Sequence, residues 1–431
     1  MAAQGAGLSE GNHGSMTARP RSTWHSLFTA MGLRGVALGG RFVFVIFATK
    51  YMLPDDFGRF GLLAAVAQII PTLVGLEAYQ ILLRRILQEP EKAPDSRRFY
   101  AVFILGGALI SGVLGMLTLI AFGWSASQVG LGALVVMLEH IGMETSRNLI
   151  NERFPALSVL SVALRTGSWG VALPALFLAG PITAPWTLET VLCFWLGGQV
   201  GAVLVGMPIW RLFRPKGSDF EPRRGGVLLL EVVRRSWTWM VFAANLRVLE
   251  TGGRFVCAWM ISEAVAGRFT FISMMASLSY IAQKGIVEPI YYPKLTSLDA
   301  TEETHREFRR VNFIVILGST LCSVIGLAAS AWINGTVPPA RELVAFGLLC
   351  LAFAFLSLSQ QAHYRLYRWH QDRAIMTTGI ISCVAMIAAS ILATHLWGIA
   401  GAAAGMLVGA LVLLVLKERA ARELTSGPPE D

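Results

Sequence analysis

The chain has 431 residues, of which 54% are hydrophobic and only 15% charged, with a mean hydropathy of +0.57 and a net charge of +9. Soluble globular proteins carry roughly 25% charged residues, so this composition excludes a soluble domain and is that of a polytopic membrane protein. Five cysteines lie in apolar runs without CxxC or metal-ligand spacing, and no GxxxxGK(S/T) motif is present, so neither a metal, a cofactor nor a built-in ATPase is expected.

A membrane-crossing helix needs about 20 apolar residues, and reading along the chain predicts about twelve of them. They fall at 27–49, 60–83, 99–122, 128–146, 155–179, 188–210, 237–261, 266–290, 311–333, 342–362, 374–396 and 398–416. The fourth is the weakest, carrying Glu139, His140 and Glu144, and the last two are separated only by a turn around Trp397-Gly398. The expected organisation is an all-α polytopic membrane protein. A disordered cytoplasmic tail (1–26) precedes an N-terminal six-helix lobe (27–210), a basic cytoplasmic linker (211–236), a C-terminal six-helix lobe (237–416) and a second cytoplasmic tail (417–431). Lys and Arg accumulate on the cytoplasmic side of membrane proteins. With both termini inside, most basic loop residues, from Arg19 to Lys417 and Arg422, fall on that side, and only Lys50, Arg59, Arg268 and Arg341 fall outside. The positive charge is therefore explained by topology, and no nucleic-acid partner is needed.

Residues 33–43, LRGVALGGRFV, return about half a chain later at 246–256 as LRVLETGGRFV. Each copy is followed by an outer turn ending Gly-Arg-Phe (Gly58 to Phe60, Gly267 to Phe269), and one span later RRFYAVFILG at 97–106 matches RRVNFIVILG at 309–318. Three anchors in the same order predict an internal repeat. Each half holds an even number of spans, so the halves enter the membrane in the same sense, as parallel repeats with a substrate cleft between them.

The basic residues within spans are Arg34, Arg41, Arg165, Arg247, Arg254 and Lys284. An arginine at mid-bilayer costs about 2.5–3.5 kcal/mol on insertion scales, and such residues usually face a bundle interior or a watery cavity. Arg34 and Arg41 are nearly two turns apart and share one face, about 10 Å apart along the axis; Arg247 and Arg254 repeat this. Each lobe is thus expected to offer a pair of cations to an anion in the cleft. Glu250 is within reach of both Arg247 and Arg254, whereas Ala37 stands at the matching place, so the first pair is the more electropositive. The structural alternative is that Glu77, Glu139 or Glu288 neutralises these arginines, or that they snorkel. The Gly-Gly within each copy allows a neighbouring helix or a lipid headgroup to approach the backbone. His140, Glu144 and Arg147 fall on one helical face. A His beside a carboxylate suits proton coupling, and a cytoplasmic salt-bridge cluster is the competing reading. Arg165 has the same two readings, and Lys284 with Glu288 reads as an i,i+4 pair.

Several stretches, LPDDFGRFGLLAAVAQII after the first span, SEAVAGRFTFISMMASLSYI after the seventh, YYPKLTSL after the eighth and LWGIAGAAAGMLVGALVLLVLK at the last, resemble the Wzx-type polysaccharide transporters. These are lipid-linked oligosaccharide flippases of the superfamily that also contains the MATE drug exporters and the lipid II flippases. The resemblance implies a bacterial inner-membrane protein of two six-helix lobes, with no enzymatic activity. It would flip an undecaprenyl diphosphate-linked oligosaccharide by alternating access for exopolysaccharide or lipopolysaccharide synthesis, alongside a polysaccharide polymerase and export machinery. It also implies a diphosphate-holding role for inward-facing arginines, which Arg34, Arg41, Arg247 and Arg254 suit by helix position.

Two other functions compete. A MATE-like exporter of cationic drugs or metabolites calls for acidic residues in the first two spans, where only Glu77 stands. A membrane glycan enzyme needs a large outer loop, and the outer loops here are about ten residues or fewer.

Overall fold

The computed structural model describes residues 23–79, 82, 93–151, 154–180, 185–212, 222–296 and 301–425. The expected tail up to residue 22, the basic loop 83–92 and the 213–221 part of the expected linker lie outside the described residues. Apart from one isolated bridge between Met52 and Trp186, the described chain is helical.

The first bundle contains α1 (Thr23–Tyr51), α2 (Pro54–Gly75), α3 (Ala93–Ala121) and α4 (Ala126–Asn151). It continues with α5 (Pro155–Ala163), a π-helical segment (Leu164–Ser168), α6 (Trp169–Leu178), α7 (Leu188–Val205) and α8 (Met207–Leu212). The second bundle starts with α9 (Pro222–Met260), α10 (Glu263–Ala276), α11 (Leu278–Ala282), a second π-helical segment (Gln283–Val287) and α12 (Glu288–Thr296). It ends with α13 (Glu302–Asn334), α14 (Ala340–Arg368), α15 (Asp372–Trp397) and α16 (Ile399–Thr425).

Helix starts follow from local chemistry. Pro54 opens α2 with Asp55 and Asp56 in its first turn, where a missing N–H and negative charge are both favourable. Thr187, Ser262 and Thr301 cap α7, α10 and α13 by accepting from the backbone N–H three residues on. The tight turn expected at Trp397-Gly398 is present, with Gly398 at φ +58°.

Among the described residues nine helices are long and apolar enough to cross a membrane, or ten if the α10–α11 pair, bent by 44°, is one span. The protein is therefore a multi-pass membrane protein. The count falls below the expected twelve at α1, whose first side chains lie outside the described residues, and at α9, which carries Arg247, Glu250 and Arg254. Two boundaries also differ. The expected linker is helical from Pro222 onward and continuous with α9, because Leu228 and Val232, four residues apart, pack on Ala78, Leu82 and Tyr100 of the first bundle. The last helix runs on to Thr425, and Lys417, read as the first residue beyond the last span, is fully enclosed with its Nζ 4.7 Å from the Phe242 ring centre.

Close helix packing uses small residues, as expected where lipid supplies little driving force between helices. On α16, Gly401, Gly405 and Gly409 press against Ala393, Ser390 and Met386 of α15. The doubled Gly-Gly motif behaves similarly: a Cβ on Gly40 would lie 2.6 Å from the Gly167 carbonyl oxygen, and Gly253 abuts Phe269 and Met406. Besides the packing of Leu228 and Val232 on the first bundle, the two bundles meet at the end remote from the chain's termini. There Gly58 of α2 and Gly267 of α10, the glycines of the two Gly-Arg-Phe turns, lie backbone to backbone. Arg59 Nε donates to Glu263 at 2.8 Å across this seam, and Asn334 Nδ2 donates to Thr49 Oγ1 at 3.3 Å.

Candidate functional site

Below the seam, toward the termini, a cavity of about 270 Å³ separates the bundles. The first bundle contributes Arg41 and Gln68, and the second contributes Arg247, Glu250, Arg254 and Lys284. Contact of Gly40 with the π segment fixes how α1 is turned. Arg41, one residue and about 100° further round the helix, faces the gap. The residue is partly exposed and its guanidinium, among the described residues, has no hydrogen-bond or ion-pair partner. The charges of Glu139 and, more weakly, Arg247 bear on Arg41, and those of Arg41 and Glu250 on Arg254.

The second pair is more engaged. Arg247 Nη1 donates to Glu250 Oε2 at 2.7 Å, and Lys284 Nζ to Glu250 Oε1 at 3.4 Å. Arg254, only 5% exposed, donates from Nη1 to the Gly61 carbonyl at 3.2 Å, while its buried Nε has no acceptor among the described residues. Two expectations are corrected here. Glu250 bonds Arg247 and Lys284 and reaches Arg254 only through its charge, while Arg254 donates to the backbone of the opposite bundle. Lys284 pairs with Glu250 instead of Glu288, because it lies in a π-helical segment, whose wider turn breaks the i,i+4 alignment. Arg34 lies in α1, but its side chain is outside the described residues.

A second compartment of about 400 Å³ shares Arg41 and Arg247 and adds Arg147, Arg165 and Glu139. Arg165, in the first π segment, forms a close ion pair with Glu139, which also accepts from Gln199. Arg165 thus has the carboxylate partner that the structural alternative calls for, while also lining the compartment. Glu139, seen in the sequence only as a neutralising candidate, proves to be a wall of this compartment.

The same holds for Arg147, which donates to Glu144 at 2.7 Å and to Glu77 at 2.9 Å and lies 4.4 Å from the Tyr79 ring centre. Glu77 reaches it because α2 ends at Gly75 and both Leu76 and Glu77 adopt left-handed backbone conformations, φ +51° and +52°. Tyr100 donates a short hydrogen bond to Glu144. His140 Nδ1 shares a 3.3 Å hydrogen bond with Ser111, and no hydrogen bond joins His140 to Glu144 among the described residues. Glu144 and Glu77 are thus committed to Arg147, away from the cavity arginines.

The arrangement provides four cations and one carboxylate around a single cavity, suited to an anion larger than a carboxylate. Solved structures share the helical fold that holds this cavity. The chain has the fold of the MATE transporters and a lipid II flippase. It is similar to a multidrug resistance MATE family transporter of the MOP superfamily in an inward-facing conformation, at 13% identity over 92% of this chain and 94% of that one, with a TM-score of 0.67. Lipid II flippase MurJ in an inward closed conformation follows at 11% identity, 92% and 87% coverage and a TM-score of 0.65. An outward-facing MATE family transporter of the MOP superfamily matches with a TM-score of 0.54, at 14% identity and 93% and 94% coverage. No protein-family model matches the sequence, and no curated protein does. At these identities the likeness is one of fold.

Proposed function

We propose that this chain is a transporter that flips a lipid-linked oligosaccharide, held by its diphosphate, across the bacterial inner membrane by alternating access. The cargo would be undecaprenyl diphosphate-linked, destined for a surface polysaccharide or exopolysaccharide, with a polymerase and export machinery acting on the flipped product. In this reading α1 and α9 complete twelve spans in two repeated lobes, both termini are cytoplasmic, and the Gly58–Gly267 seam closes the outer side. The higher TM-score to an inward-facing than to an outward-facing relative is consistent with that closure.

The observation that carries the reading is Arg41: a cation with no hydrogen-bond or ion-pair partner among the described residues, attracted at longer range by Glu139, and facing Arg247, Arg254 and Lys284 with Glu250 the one carboxylate lining the same cavity. In low dielectric such a cluster attracts a diphosphate strongly, and guanidinium groups hold phosphate oxygens through paired donors. The same excess of positive charge disfavours the MATE-like export of cationic drugs, since Glu77 is held by Arg147.

The test is surface glycan in a deletion strain complemented at matched membrane abundance. Arg41→Ala should reduce export more than Arg254→Ala, because Arg254 is partly engaged by Gly61. Arg41→Lys should restore export only in part. Undiminished glycan with Arg34 and Arg41 both changed to Ala would sink the diphosphate grip.

A further inference from the structure

Glu250 is the one carboxylate lining the 270 Å³ cavity among the described residues, and two of the cavity's cations hold it. Its oxygens are divided between two cations from different helical segments, Oε2 to Arg247 of α9 at 2.7 Å and Oε1 to Lys284 of the second π segment at 3.4 Å. The arms are unequal. The Arg247 contact is a local i,i+3 pair at full charge-assisted strength, whereas the Lys284 contact is longer than the usual 2.7–2.9 Å of such bonds.

The first bundle has a related arrangement with one cation and one neutral donor. Glu139 divides its oxygens between Arg165, second residue of the first π segment as Lys284 is of the second, and Gln199. A π turn inserted in an α-helix often marks a functional position. Here each one delivers a basic side chain to a carboxylate at the edge of the interbundle space.

A phosphate group entering this cavity meets Arg247 and Lys284 as well as Arg41 and the Gly61-bound Arg254. Held there, it would lie against Glu250, and two anions at contact distance repel strongly in low dielectric. The carboxylate must then swing off its partners, and its return favours departure of the cargo. We propose that Glu250 is an internal counter-anion, occupying Arg247 and Lys284 in the empty cavity and competing with the cargo's phosphate groups for them. Its strength sets how readily the cargo is released. This inference rests on the anionic-cargo reading above.

The experiment is binding of inorganic pyrophosphate to the full-length protein in detergent, followed by isothermal titration calorimetry. Glu250→Gln keeps the shape and removes the competitor, and should bind pyrophosphate about tenfold tighter or more, a gain of about 1.4 kcal/mol. Adding one positive charge to the cavity would also tighten binding without any competition, and the background Lys284→Met separates the two causes. There the gain from Glu250→Gln should shrink if Glu250 competes for Lys284, and persist if only net charge matters. Glu250→Asp, too short to span both cations, should fall between wild type and Gln and serves if the Gln variant does not fold. Affinity unchanged in the Gln or Asp variant while Arg41→Ala loses binding would overturn the counter-anion alone, as would an equal gain in both backgrounds. No binding by wild type or any variant would overturn the anionic-cargo reading and this inference with it.

Discussion

Gly58→Ala should prise open the seam between the bundles. The Cβ of an alanine there would lie 2.0 Å from the Glu263 carbonyl oxygen, 2.7 Å from the carbon of that carbonyl and 3.2 Å from the Gly267 nitrogen. These are backbone atoms, so no rotamer change relieves the clash. Ordinary contact begins at 3.4 Å, and α2 and α10 must therefore part by about 1.4 Å. Overpacking of this kind costs about 1–3 kcal/mol, which shifts an equilibrium between closed and open seams by about 5- to 150-fold. The assay is cross-linking of cysteines placed at Thr49 and Asn334, whose side chains touch across the seam, in a background with the five native cysteines changed to Ser. The yield should fall in Gly58→Ala and in Gly267→Ala, where the Pro54 carbonyl oxygen would lie 2.7 Å from the new Cβ. Gly130→Ala, with nothing within 4 Å, is the control. Cross-linking at the wild-type yield in both seam variants would show that the glycine contact does not hold the bundles together.

Arg147→Ala removes the cation that the buried carboxylates of Glu144 and Glu77 share, leaving Glu144 its hydrogen bond from Tyr100. Breaking a buried ion pair by removing one partner costs about 3–5 kcal/mol, so the melting temperature in detergent should drop clearly; Arg41→Ala, which breaks no ion pair among the described residues, should leave it unchanged. A melting curve indifferent to Arg147 would remove the ion cluster's structural role. For topology, a cysteine at Ser127, exposed at the start of α4, should react with an impermeant thiol reagent in intact cells. One at Thr301, which caps α13 at the opposite end, should be shielded, and labelling at Thr301 would invert the proposed orientation.

The sequence by itself determined that the chain is a helical, multi-pass membrane protein, because hydropathy and helix length are properties of local composition. It also singled out Arg41, Arg247 and Arg254, since a cation in an apolar run is costly wherever the chain goes. Partnerships were decided elsewhere. Glu250 is three residues from Arg247 and four from Arg254, and spacing left both within reach. The approach of Gly61 from the other bundle took Arg254, and a π-helical turn turned Lys284 toward Glu250. In the same way, two left-handed residues at the end of α2 delivered Glu77 to Arg147. Packing across helices turned the stretch after Pro222 into the start of α9 and enclosed Lys417. Helical periodicity fixes which side chains share a face, but which charges meet depends on how helices distant in sequence cross, and on local departures from 3.6 residues per turn that only packing selects.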